Sequence, residues 1–181
     1  MQPAIPRIEL RLENEAASVT LAAAVAPHFR PGFVLYLSGD LGSGKTTFAR
    51  AVLHALGHRS RVPSPTFTLV QSYNLSSFQL YHFDLYRFSS PEQWRDAGFD
   101  EHLGGDAAAI VEWPELGAGR LPPPDLWLRL EIDAAGDASR AVLASAGTEW
   151  GRQCLIGIVD AIRLGLLAGV SLRGDWLPPV P

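Results

Sequence analysis

The chain opens on alternation: Ile8, Leu10 and Leu12 are apolar, while Arg7, Glu9, Arg11 and Glu13 are charged. A period of two belongs to a strand with one face in a core and one in water. An alanine-rich stretch then predicts a helix reaching about His28, with Ser18 as its N-cap. At Phe33 the pattern changes to a continuous apolar run, Phe33 to Leu37, as in a strand covered on both faces. Thr46 to Leu56 carries apolar residues at Phe48, Ala49, Val52, Leu53 and Leu56, a helical spacing. Phe67 to Tyr73 and Phe78 to Leu85 are β-rich runs separated by the turn-like residues 74–77, which predicts a hairpin. Ser90-Pro91 predicts a short helix with Ser90 as cap and Pro91 in the first helical position. Ala107 to Glu112 reads as a short buried strand ending in an acid. Trp127 to Ile132 and Ala141 to Ala146 predict a second hairpin, joined through the glycine and aspartate residues of 133–139.

A terminal helix is expected from about Thr148. From Leu155 to Leu172 its apolar positions Leu155, Val159, Ile162 and Leu166 keep helical spacing, interrupted by Asp160 and Arg163. Those charges favour an amphipathic helix against the core over a membrane span. The elements sum to an α/β layer fold whose sheet mixes parallel and antiparallel neighbours. The expected organisation is one domain, with a core over residues 1–155 and a helical extension over 156–181 ending in the proline-rich tail Pro178 to Pro181.

Composition narrows the function classes. A length of 181 residues with 47% apolar and 19% charged residues suits a single self-sufficient core. The single Cys154 cannot form an internal disulfide, and Met1 to Glu13 lacks the unbroken apolar stretch of a secretory signal, so a cytoplasmic protein is expected. A net charge of −4 argues against a chain that grips nucleic acid alone, and Arg59 and Arg61 are the nearest approach to a basic cluster.

Against that composition one residue stands out: Lys45 is the only lysine, beside fourteen arginines. It lies in Gly-Asp-Leu-Gly-Ser-Gly-Lys-Thr-Thr, Gly39 to Thr47, which satisfies G-x-x-x-x-G-K-S/T. In such a loop backbone N–H groups close round phosphate oxygens, and the lysine reaches the β and γ phosphates as a compact charge that a planar guanidinium cannot replace. The strand before it and the helix after it come in the required order, and the helix N-terminus adds its dipole. Gly42, Ser43, Gly44, Lys45, Thr46 and Thr47 are therefore the candidate nucleotide-binding residues, and the fold class expected is the three-layer P-loop NTPase fold with a mixed central sheet.

Turnover needs a metal and a group that positions the attacking oxygen. The Thr46 hydroxyl is placed to sit on Mg²⁺, and a carboxylate from a strand end must complete the site. Asp84, after Tyr81-His82-Phe83, and Glu112, after Ala109-Ile110-Val111, both follow strand-like runs, the Walker B arrangement. Each is also what an ordinary acid at a strand terminus looks like. Between the loop's helix and these acids, Ser64-Pro65-Thr66-Phe67 presents Thr66 on a segment stiffened by Pro65, either as a switch that senses the γ-phosphate or as a plain strand opening.

Four motifs in order, at Gly39, Ser64, His82 (His-Phe-Asp-Leu-Tyr-Arg) and Val111 (Val-Glu-Trp-Pro-Glu), resemble those of the bacterial TsaE family over about residues 7 to 155. The resemblance implies a small P-loop ATPase, weak alone, that works with TsaB and TsaD in making threonylcarbamoyladenosine in tRNA. It implies ATP as substrate, Mg²⁺ held by Thr46 and Glu112, and Asp84 assisting the metal or the attacking water. It implies that Ser64, Thr66, Phe67 and Trp113 move with nucleotide state and face the partner, and that Ser18 stands near the adenine where the family commonly has threonine. Contact with tRNA is then indirect, through the partners, which accords with the acidic surface. Two other classes share the loop. A small-molecule kinase needs a basic lid, for which Arg87 and Arg95 are the candidates near the acids; a nucleotide-dependent binding module needs no turnover. A guanine-reading Asn-Lys-x-Asp motif is excluded, because the chain has no second lysine.

Overall fold

A computed structural model of the chain describes residues 6–103, 107–134, 136 and 138–174. Eight strands form one mixed sheet: β1 Arg7–Leu12, β2 Val34–Ser38, β3 Val70–Asn74, β4 Gln79–Asp84, β5 Ala107–Glu112, β6 Leu126–Ile132, β7 Arg140–Ala146 and β8 Val170–Arg173. Their spatial order is β3-β4-β5-β2-β6-β7-β1-β8. The four central strands β4, β5, β2 and β6 are parallel neighbours, and every outer pairing is antiparallel. Among the described residues four α-helices accompany it: α1 Glu15–Val25, α2 Lys45–Ala55, α3 Glu92–Asp96 and α4 Glu149–Arg163.

One face of the sheet is covered along its length by α1, α2 and α4, through a continuous core that includes Leu10, Leu21, Phe48, Ile110, Leu128 and Leu155. Among the described residues the other face is covered only over β2, β4 and β5. There α3 and the 3-10 turns Phe99–Leu103 and Pro114–Gly117 pack a second cluster around Tyr36, Phe83, Trp94, Phe99 and Val111. The three-layer P-loop fold is thus present, with its third layer confined to one half. The strand patterns follow from this. β2 is buried at all five positions and β5 at all but its first, whereas β1 and β6 alternate.

Several local expectations are corrected. The cap of α1 is Asn14, whose Oδ1 accepts from the Ala17 N–H at 3.0 Å, and Ser18 lies a full turn inside the helix, buried. Pro91 occupies the cap of α3 instead of its first helical position. The first hairpin begins at Val70, because Thr66 to Leu69 turn: the Leu69 N–H reaches back to the Pro65 carbonyl at 2.6 Å, with Leu69 in the left-handed region at φ 65°. The helix predicted through Leu172 stops at Arg163. The chain reverses there and returns as β8 against β1, with Leu10 opposite Leu172. Helical spacing at Leu166 was coincidental, and that residue is exposed. The last seven residues, including the proline-rich tail, lie outside the described residues.

Candidate functional site

Parallel register assembles the site. Asp84 stands opposite Glu112, and Glu112 opposite Leu37, so the carboxyl ends of β4, β5 and β2 form one row from which the Gly39 to Thr47 loop departs. This is the edge where ligands collect in open α/β sheets. Gly44 caps α2 at φ 105°, a conformation suited to glycine, and aims the helix N-terminus at the space above the row. Gly39 is required for a different reason: a Cβ there would lie 2.0 Å from the Leu130 carbonyl oxygen of β6.

A cavity of about 320 Å³ occupies this edge, lined by Gly42, Gly44, Lys45, Thr46 and Thr47 from the loop, Ser64 and Thr66 from the following segment, and Asp84, Tyr86, Glu112 and Trp113 from the strand ends. Nearly every residue singled out in the sequence therefore meets in one place. Thr46 donates its hydroxyl to Glu112 Oε2 at 3.0 Å. Ser64 and Thr66 both point their hydroxyls at Asp84 Oδ2, at 3.2 and 2.6 Å, and lie 2.6 Å from each other. The Tyr86 N–H holds the other Asp84 oxygen at 3.0 Å. Three residues fall outside, one of them Ser43, which is buried within the loop. Phe67 projects 83% exposed beside the mouth, with the Arg87 guanidinium over its ring. Ser18 lines a separate cavity of about 260 Å³ on the far side of the loop, with Glu15, Ser43, Gly44, Thr47, Ala138 and Arg140.

Lys45 is almost fully buried and donates to the loop's own carbonyls, Gly39 O at 2.7 Å and Asp40 O at 2.8 Å, while its Nζ lies 3.8 Å from the Trp113 ring centroid. Burial lowers the ammonium's pKa from the usual lysine value; the charges of Glu112, Glu115, Asp84 and Asp40 oppose that shift. Trp113 adopts a left-handed backbone at φ 58°, with its N–H on the Leu37 carbonyl and its ring against Tyr86 at 5.2 Å. A non-glycine residue in that region is strained, and here it is what turns the indole back over the lysine.

The donor chemistry fits a magnesium ion. A threonine hydroxyl and two carboxylates are hard oxygen donors, and no group of three His, Cys, Asp or Glu residues able to hold a metal by themselves occurs among the described residues. Mg²⁺ characteristically takes one or two carboxylates and leaves the remaining positions to water and phosphate oxygens.

Sequence reasoning missed three contributors. His82, fully buried, lies 2.8 Å from Glu112 Oε1 through Nε2; it opens the quoted His-Phe-Asp-Leu-Tyr-Arg motif and shares a face of β4 with Asp84, two signals that went unread. Tyr86 follows Asp84 by two residues inside a quoted motif. Arg140, at the start of β7, donates to the Ser43 and Gly42 carbonyls at 2.8 and 3.3 Å, and nothing local in the sequence announces a partner almost a hundred residues away.

A glycine loop entering a helix N-terminus, a buried lysine and strand-end carboxylates on a mixed sheet define the class: a P-loop nucleoside triphosphatase fold. The chain belongs to the TsaE family: the family model described as "Threonylcarbamoyl adenosine biosynthesis protein TsaE" matches residues 12–142. A tRNA threonylcarbamoyladenosine biosynthesis protein TsaE from Haemophilus influenzae is 38% identical over 128 residues, 71% of this chain and 79% of that protein. Its namesake from Bacillus subtilis is 37% identical over 140 residues, 77% and 86% of the two chains. The crystal structure of Bacillus subtilis YdiB superposes with a TM-score of 0.69 at 29% identity, covering 89% of this chain and 97% of that one. The family match ends within β7, so α4 and β8 lie beyond it. Among the described residues no helix is long and apolar enough to cross a membrane.

Proposed function

We infer that this chain is a Mg²⁺-dependent ATP hydrolase that supports threonylcarbamoyladenosine formation in tRNA by cycling the conformation of a TsaB–TsaD complex. The observation that carries the reading is the convergence of Lys45, Thr46, Asp84 and Glu112 on one cavity at the sheet's carboxyl edge. The loop N–H groups and Lys45 would bind phosphate oxygens, for which Lys45 must exchange the Gly39 and Asp40 carbonyls for the nucleotide. Thr46 and Glu112 would hold Mg²⁺, which when bound neutralises charge developing on the phosphates. Asp84 would orient water or assist the metal; its hydrogen bonds to Ser64 and Thr66 would tie the state of that segment to the site. Phe67, Tyr86 and Leu41, exposed around the mouth, and Trp113, half-buried within it, would meet the partner, and tRNA would be held by the partners alone.

The geometry gives the kinase alternative little support. Neither Arg87 nor Arg95 lines the cavity, and the Arg87 guanidinium packs on Phe67, 4.5 Å from its ring centroid, outside the cavity. The test is phosphate release from ATP and Mg²⁺ with and without TsaB and TsaD. A slow basal rate that rises on their addition is expected; an unchanged rate refutes the cycling role, and a labelled small-molecule acceptor would establish transfer instead.

A further inference from the structure

We propose that His82 is a positioning residue for the metal site: its imidazole fixes the Glu112 carboxylate so that one oxygen faces Thr46 and the magnesium position. The inference rests on the Mg²⁺-dependent reading above. Glu112 is 1% exposed, and its two oxygens are divided, Oε1 to His82 Nε2 at 2.8 Å and Oε2 to the Thr46 hydroxyl at 3.0 Å. His82 is 0% exposed and is held on β4 between Gln71 of β3 and Ile110 of β5, so the ring cannot swing away without breaking the sheet's packing. The tautomer follows from the partners. Nδ1 is buried with no hydrogen-bond partner among the described residues, whereas Nε2 faces a carboxylate oxygen, so it is the Nε2–H that donates to Glu112. The opposite tautomer would set a lone pair against the carboxylate and bury an unmatched N–H.

This division has a functional consequence. A carboxylate free to rotate about its last bond would present either oxygen, or both, to Thr46; with Oε1 occupied, only Oε2 remains for Thr46 and a cation. Partners of metal-ligating carboxylates orient them in this way, and their loss typically costs 10- to 100-fold in metal affinity or activity. Asp84, next on the same face of β4, is held differently, by two hydroxyls and a backbone N–H, all from segments outside the sheet interior. Of the two acids, Glu112 is the one held by a partner inside the sheet.

The experiment compares wild type with His82→Leu, which fills the space without a donor, and His82→Gln, which keeps an N–H donor on a side chain of similar reach. Two quantities are read on the whole chain: the Mg²⁺ concentration giving half-maximal phosphate release, and the affinity for Mn²⁺, followed by its paramagnetic signal, in the presence of a non-hydrolysable ATP analogue. Nucleotide affinity in EDTA and thermal melting are measured alongside. The expected result is that His82→Leu weakens both metal readouts about 10- to 100-fold, leaves nucleotide affinity in EDTA unchanged, and is rescued to within a few-fold by His82→Gln. Unshifted metal readouts in a folded His82→Leu variant overturn the proposal. If that variant does not fold, His82→Gln decides: wild-type metal affinity supports the donor role, and a loss as large as that of a missing donor overturns it. A wild type whose phosphate release does not depend on Mg²⁺ would instead refute the functional reading itself.

Discussion

The two halves of the sheet obey different rules. In the half built from β2, β4 and β5, strands are buried on both faces and their acids end in a common row. In the half built from β6, β7, β1 and β8, one face rests on α1 and α4, while the other carries Arg7, Glu9, Arg129 and Glu131 into water. The candidate chemistry sits wholly at the edge of the first half. The second half acts as a brace: the Leu130 carbonyl fills the space a Gly39 side chain would need, and Arg140 grips the loop's carbonyls from outside. Arg140 thus holds the Gly42 and Ser43 carbonyls from the open half, which steadies the loop without touching the carboxylates.

The contrast is broken most severely by removing the extra layer's anchor. Phe83 is fully buried among Trp94, Phe99 and His102, on the face that only the first half has covered. Phe83→Ala should cost about 3–5 kcal/mol. Leu143→Ala, on the corresponding face of the open half, should cost under about 1 kcal/mol, because that residue is only half-buried. Denaturant midpoints at constant slope measure both, and equal losses would show that the two faces do not differ as described.

Next in size is Lys45→Ala, expected to lower phosphate release by about 10²–10³-fold, as for removal of one transition-state donor. Melting should move little, since the ammonium is desolvated and its partners are carbonyls that water can reach once it is gone. Normal ATP affinity together with a normal rate would sink the assignment of the loop.

This asymmetry also explains what the sequence disclosed. Phe33 to Leu37 and Ala107 to Val111 are unbroken apolar runs because both faces of β2 and β5 are covered, and Arg7 to Glu13 alternates because one face of β1 is not; the layer structure was written in those periods. That the loop, Asp84 and Glu112 share one edge was legible because the loop motif has a fixed local spacing and strand ends deliver acids to one edge. Ser18 misled because a small polar residue near a helix start satisfies the capping rule as well as Asn14 does, and only the backbone shows that Asn14 has left the helix at φ −164°. β8 was hidden because Leu166 continued the spacing of α4 beyond its end, and no proline marked the stop. Arg140 was beyond reach because its purpose depends on β7 lying beside the loop, a matter of topology.

The smallest expected effect tests the brace most directly. Arg140→Ala removes the hydrogen bonds from a part-exposed guanidinium to the Ser43 and Gly42 carbonyls, together with one to the adjacent Ser139 carbonyl at 2.9 Å. With water able to take over those acceptors, the loss should be near the low end for charged hydrogen bonds, about tenfold in nucleotide affinity or ~1.4 kcal/mol. Arg129→Ala, on the neighbouring strand, is the matched control. Among the described residues its guanidinium pairs with the exposed Glu131 on the open face, at 3.2 Å, and contributes within about 0.5 kcal/mol. Titration of a fluorescent nucleotide distinguishes the two. A tenfold loss confined to Arg140 means that the open half contributes through one directed contact; equal losses would mean that positive charge on that half acts at a distance, and the two carbonyl bonds would then have no special part.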